Sequence, residues 1–84
     1  MSTLKWIVNW FELNSDLSRE EIEKNLQENY LTRGWIDSFK FITFITEIED
    51  KFKITFSTDE FENRAFATVD GLNKIIEARI EKEL

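Results

Sequence analysis

Asp37 and Ser38 are the two residues of this chain best placed to do chemistry, within the stretch Gly34-Trp35-Ile36-Asp37-Ser38-Phe39. An Asp just before an apolar-periodic segment is a good N-cap, and a Ser in the first helical turn projects its hydroxyl beside unpaired backbone amides and the positive end of the helix dipole. That end suits a phosphate. A Ser nucleophile needs an adjacent base, and the chain has no His. Any reaction at Ser38 therefore needs a separate enzyme to activate it. The absence of Cys removes disulfides and thiolate metal sites, and the absence of His removes the commonest metal ligand. An enzyme built on carboxylates alone would need a pair set in a cleft, and no such pair is evident.

The elements that would hold this pair are helical. Pro is absent and Gly occurs only at positions 34 and 71, so strand-turn-strand architecture lacks its usual punctuation. Thr3 to Asn14 places Trp6, Ile7, Trp10 and Leu13 at helical spacing, and Asn14, Ser15 and Asp16 end it. Ser18-Arg19-Glu20-Glu21 is a capping box with Leu17 and Ile22 as a hydrophobic staple, followed by Ile22, Leu26 and Tyr30 as one inward stripe. After a loop marked by Gly34, the segment from Ser38 to about Phe52 carries Phe41, Ile45, Ile48 and Phe52 on one face with Phe44 beside them, the pattern of the most buried helix. On that pattern Phe52→Ala costs about 3–5 kcal/mol.

Residues Lys53 to Phe56 are an extended connector, because an isolated four-residue strand would have no partner. Ser57-Thr58-Asp59-Glu60 is a second capping box that opens a helix of about two turns, pinned by Phe61. The last helix starts near Thr68 and shows Val69, Leu72, Ile76 and Ile80, with Ile75 alongside and Gly71 weakening its first turn. The expectation is a single all-α domain over residues 1–84: four principal helices, one short one, and a long loop before the second major helix.

Composition narrows the function classes. Eighty-four residues build one modest core and no deep enclosed active site, and eight Phe and three Trp argue against disorder. With a net charge of −6 and dispersed Lys and Arg, nucleic acid is not an expected partner. No apolar run approaches the roughly 20 residues of a membrane span and the N-terminus lacks a signal-peptide pattern, so the expected state is a cytoplasmic monomer.

The stretch from Gly34 to Phe39 resembles the phosphopantetheine attachment site of the acyl carrier protein family, whose signature is Asp-Ser-Leu at the start of the second major helix. Both Asp and Ser are good caps, so the pair alone is common at helix starts. Its place after a long loop in a short acidic helical chain, with Gly34 four residues before the Ser, gives it meaning. The similarity extends over residues 34 to 80, where Phe66-Ala67-Thr68-Val69 resembles the family's approach to its last helix. Before Gly34 it holds only in outline.

The resemblance implies an acyl-carrier-like four-helix bundle that performs no catalysis of its own. Ser38 would carry a phosphopantetheine arm derived from coenzyme A. Asp37 would cap the helix and assist the transfer, with a magnesium ion of the transferase beside the pair and no resident metal. Phe39 would anchor the helix start in the core. The implied partners are a phosphopantetheinyl transferase, a ligase that loads acyl or aminoacyl groups as thioesters, and downstream transferases or synthases. They would meet the chain at Phe39, Lys40, Thr43, Glu47, Asp59 and Glu60. Many fatty-acid carriers have acidic residues where this chain has Lys40 and Thr43, a departure that favours a specialised pathway and sets Lys40 to repel basic partner patches. D-alanyl carrier proteins share the Gly-apolar-apolar-Asp-Ser-Phe pattern, so that cargo stays open. From a different class, an interaction module could use exposed Phe and Trp with no prosthetic group.

Overall fold

Helices begin where a side chain can close their first turn, and four of the elements here start on a Ser or Asp that does so. In the computed structural model, which describes residues 2–83, these are α1 (Thr3–Asn14), α2 (Arg19–Lys24), α3 (Ser38–Phe52) and α4 (Thr58–Glu62). Their caps are Ser2, Ser18, Asp37 and Ser57, and both expected capping boxes form, with Glu21 and Glu60 reaching back to the cap amides. A 3-10 helix (Arg64–Ala67) then leads into α5 (Val69–Glu83). The result is a small all-α bundle of three long helices of 12, 15 and 15 residues, with the short α2 and α4 between them. Among the described residues the only strand-like pairing is an isolated antiparallel bridge between Asn29 and Thr68.

The expected stripe of α1 is displaced. Ile7, Val8, Trp10 and Phe11 are buried, Trp6 is half-buried, and Leu13 lies 84% exposed. Phe11, completely buried, takes the place expected for Leu13.

The second helix is also shorter than the Ile22-Leu26-Tyr30 stripe implies. It stops at Lys24, and Asn25 turns its side-chain amide back to the Glu21 carbonyl at 2.7 Å. Beyond it, hydrogen bonds to the C-terminal third of the chain replace the helical ladder. The Asp70 amide donates to the Leu26 carbonyl at 3.0 Å and the Tyr30 amide to the Ala67 carbonyl at 2.9 Å. The Tyr30 hydroxyl donates to the Phe66 carbonyl at 2.6 Å. Tyr30 is still core, but a loop delivers it. Burial holds its phenol above the ordinary tyrosine range, so it remains a neutral donor.

The centre of the core is Phe44, fully buried, whose ring meets Trp10, Phe11, Tyr30 and Trp6 at centroid distances of 4.3, 5.1, 6.1 and 6.4 Å. Phe52, assigned to the inward stripe, is only half-buried and stands edge-on to Trp6 at 5.6 Å. It flanks the core instead of filling it. The connector expected from Lys53 begins one residue later: Lys53 takes a left-handed conformation with φ of 57° as the C-cap of α3, and beyond it Ile54 and Phe56 are buried while Thr55 stays exposed.

Gly71 has a structural reason. A Cβ at this position would lie 2.1 Å from the Ala65 carbonyl oxygen, so glycine lets the first turn of α5 press against the 3-10 helix. The turn itself is capped by Thr68, whose hydroxyl oxygen accepts the Gly71 amide at 3.0 Å.

Two outcomes follow for urea unfolding. Phe44→Ala loses about 3–5 kcal/mol, and half-buried Phe52→Ala loses clearly less. Gly71→Ala, which would gain helix propensity in an open site, instead loses about 1–3 kcal/mol by overpacking. A neutral or stabilising Gly71→Ala would mean that the 3-10 helix is not pressed against α5.

Candidate functional site

Each residue from Gly34 to Ser38 has a local task. Gly34 takes a left-handed conformation with φ of 74°, which is its reason for being glycine, since open space surrounds the position. The Trp35 amide donates to the Tyr30 carbonyl at 3.0 Å, closing the loop on itself. Ile36 is buried and Trp35 half-buried, its ring edge-on to Phe11 at 5.7 Å. These two apolar residues seat the loop end in the core, so that Asp37 emerges at the surface as the cap of α3.

The cap is well formed. Asp37 Oδ1 accepts the Lys40 amide at 2.8 Å, and its carbonyl accepts the Phe41 amide at 2.9 Å. Ser38 is the first residue of α3 and is exposed. No described residue hydrogen-bonds its hydroxyl, which leaves the oxygen free to react. The amides of this first turn, apart from the one held by Asp37, lie outside the helical ladder and favour negative charge nearby. Asp37 and Ser38 thus place an exposed hydroxyl at the start of a capped helix.

Phe39 does not anchor the helix start in the core. It is 79% exposed, because in a helix the residue after Ser38 points away from the buried face of Phe41, Phe44, Ile45 and Ile48. Anchoring falls to Trp35 and Ile36 before the cap and to Phe41 after it, Phe41 packing against Tyr30 and Phe66 at 6.2 Å each.

The other expected recognition residues divide by use. Lys40 is exposed, yet its Nζ lies 2.7 Å from the Asn14 carbonyl at the C-terminal end of α1, where the helix dipole favours a cation. Glu47 accepts the Trp10 indole N–H at 2.7 Å, tying α3 to α1. Thr43 turns its hydroxyl to the Phe39 carbonyl at 3.4 Å. Glu60 accepts its cap amide at 2.8 Å and pairs with Arg79 of α5 at 2.5 Å. Asp59 is exposed. The structure brings Asp37, Ser38, Phe39, Lys40, Thr43 and Glu47 together on one helix. Asp59 and Glu60 sit on α4, which connects to the start of α3 through Phe61, Phe66 and Phe41.

Beside the Asp37 cap runs an open groove of about 440 Å³ between the end of α1 and the loop, bounded by Asn14, Ser15, Trp35 and Lys40 among others. Two exposed apolar residues were not expected at the surface. Leu13 lines this groove, and Ile42 on α3 is 65% exposed. Ile42 was visible in the sequence as an apolar residue off the Phe41-Ile45-Ile48 stripe; Leu13 was hidden by the misplaced stripe of α1. Among the described residues no group of three or more His, Cys, Asp or Glu is arranged to hold a metal ion, and no helix is long and apolar enough to cross a membrane.

Compared with known proteins, the chain matches no family model, no curated protein and no solved structure.

The role of Asp37 as a cap separates from its charge by substitution. Asp37→Ala loses about 1 kcal/mol in urea unfolding, whereas Asp37→Asn, which caps equally well, stays within a few tenths. Equal losses in the two variants would assign the stabilisation to the charge and not to the cap bond.

Proposed function

We propose that this chain is a carrier protein of the acyl-carrier type, which holds acyl or aminoacyl groups as thioesters on a phosphopantetheine arm attached to Ser38. The observation that carries the proposal is the placement of Ser38: exposed, with a free hydroxyl, at the first position of a long central helix capped by Asp37 and preceded by a long loop. The bundle's small size and its lack of His and Cys agree with a protein that positions a group and leaves the chemistry to others.

The Ser38 oxygen would attack the phosphopantetheinyl phosphorus of coenzyme A, forming the phosphoester bond as the pyrophosphate P–O bond breaks and adenosine 3′,5′-bisphosphate leaves, and its proton would pass to a base that the transferase must supply. Once bound, the arm supplies the thiol that carries cargo. The first-turn amides of α3 would keep the phosphodiester beside the positive end of the helix, and Asp37 would hold that end in shape. The partners are then the transferase, a loading ligase and downstream acyl-transfer enzymes. A monomer in the cytoplasm is the setting this reading entails.

The cargo is that of a specialised pathway, D-alanine being the alternative, since the exposed face of α3 lacks acidic residues at positions 40 and 43. A second reading, an interaction module without a prosthetic group, draws support from the exposure of Leu13, Phe39 and Ile42. Intact mass separates the two. Incubated with coenzyme A and a broad-specificity phosphopantetheinyl transferase, the wild type gains one phosphopantetheinyl group and Ser38→Ala gains none. A wild type that stays unmodified, together with a Ser38→Ala variant that retains its cellular function, would favour the interaction module.

A further inference from the structure

Between α1 and α2 runs a groove of about 300 Å³, at the far end of α1 from the Asp37 cap. Its floor is aliphatic: Leu4 and Val8, one turn apart on α1, and Leu26, which follows α2. The floor is fixed before any ligand arrives. Val8 is buried, Leu4 and Leu26 pack half-buried against the core, and the Leu26 carbonyl accepts the Asp70 amide at 3.0 Å. Small-molecule sites are preformed, mostly apolar hollows of about 300–1,000 Å³, so a groove at the bottom of that range takes a small ligand.

Ser2 and three charged residues stand around this floor. The Ser2 hydroxyl accepts the Lys5 amide at 3.1 Å as the cap of α1. The Arg19 guanidinium donates to the Asn9 carboxamide and pairs with Glu12 at 3.5 Å, so its charge is matched within the fold. Lys5 of α1 and Glu23 of α2 remain. Both side chains are exposed, neither has a hydrogen bond or ion pair among the described residues, and they do not pair with each other across the groove. Other charges of α2 are used locally: Lys24 pairs with Glu20 at 3.0 Å, and Glu21 accepts the Ser18 amide at 3.2 Å. The groove therefore offers one unmatched cation and one unmatched anion on the walls of an aliphatic floor.

That combination of signs selects the ligand. A carboxylate with an apolar tail would satisfy Lys5 and set its charge against Glu23, and an alkylammonium would do the reverse. A zwitterion satisfies both. An α-amino acid carries its two charges on adjacent groups of one carbon, and its side chain leaves that same carbon toward the floor. Closure of Lys5 directly on Glu23 would bring little, because an exposed pair of long side chains gains almost nothing over its hydration.

We propose that the groove between α1 and α2 binds a small aliphatic α-amino acid, with Lys5 holding its carboxylate, Glu23 its ammonium group, and Leu4, Val8 and Leu26 its side chain. No covalent bond is made or broken. The groove shares no lining residue with the one beside the Asp37 cap, and the inference is independent of the carrier reading.

The test is an amide NMR titration of the isotope-labelled full chain with three probes: L-leucine, isocaproate, which lacks the amine, and isoamylamine, which lacks the carboxylate. Leucine gives saturable shifts centred on Leu4, Lys5, Val8, Glu23 and Leu26, with a Kd of about 1–10 mM, in keeping with the few heavy atoms it can bury. Each analogue binds the wild type about tenfold more weakly or worse, the scale of one lost charge-assisted bond. Glu23→Gln brings isocaproate to within about threefold of leucine, and Lys5→Gln does the same for isoamylamine, a crossed pattern that general damage to the fold would not give. Thermal melts of both variants match that of the wild type, since both side chains are exposed and unpaired. The proposal fails if leucine produces no saturable shifts at these residues. It fails equally if either analogue binds the wild type as tightly as leucine, which would make the groove a site for a single charge. Dilution of the wild type without any probe covers the remaining occupant: a concentration-dependent shift at the same amides would assign the groove to a second copy of the chain and overturn the proposal.

Discussion

Tyr30 is the residue through which the loop before α3 acquires a fixed shape. A segment of irregular backbone this long must find partners for its amides and carbonyls, and without a ladder of its own it borrows them from a distant part of the chain. Tyr30 contributes its amide to Ala67, its hydroxyl to Phe66 and its carbonyl to Trp35, while its ring lies against Phe11, Phe41 and Phe44. The Asn29–Thr68 bridge and the Leu26–Asp70 bond extend the same seam. The Gln27 side chain adds a bond to the Asp70 carboxylate, which holds that carboxyl below its ordinary range together with Lys74. Trp35 and Ile36 can enter the core at one position only because the loop behind them is fixed. The cap at Asp37 and the exposure of Ser38 follow from that entry.

Polar side chains around α3 are used to a common end. Lys40, Glu47 and Glu49 each reach backbone or indole groups of another segment, and the outward threonines bond to their own helix. These contacts hold α3 to the end of α1 and to the connector. A central helix with three acidic and three basic residues between Ser38 and Lys53 could have presented a charged face. Three of those six, Lys40, Glu47 and Glu49, go into tertiary attachments, and the surface beside Ser38 combines the exposed ring of Phe39 with the exposed carboxylate of Asp37.

Much of this was legible in the sequence where the cause is local. Both capping boxes, the Asp37 cap and the bounds of α1 and α3 each depend on residues within a few positions of one another, so their signals survive without a fold to support them. Three features were not legible because their cause lies far along the chain. The stripe of α1 could be drawn through Leu13 or through Phe11 with similar periodicity, and only the packing of Phe11 against Tyr30, Trp35 and Phe44 decides. Tyr30 continues the spacing of Ile22 and Leu26, and the bonds that take it out of a helix come from residues 66–70. Phe39 is apolar and adjacent to the cap, which gives it the look of an anchor; its phase on α3 turns it outward. At the candidate site, Asp37 and Ser38 stood out as a pair. The internal engagement of Lys40 and Glu47 did not, because it joins residues 26 and 37 positions apart.

The seam between residues 26–30 and 66–70 has a bearing on the order of events during folding. Its bonds join positions 36 to 44 residues apart, so the entropy of closing a long loop is spent before any of them forms. Helices α1 and α3 carry their own caps and can flicker into shape early, but the segment that delivers Asp37 to the surface has nothing to hold until the 3-10 helix and the first turn of α5 arrive. On a chain emerging from the ribosome, the serine is therefore synthesised long before its surroundings exist. The same serine that an enzyme could find at the end of a finished helix is, in the nascent chain, one hydroxyl among several on a flexible strand. The C-terminal third, which contains no residue of the candidate site apart from the distant α4 carboxylates, acts as the timer that decides when the site comes into being.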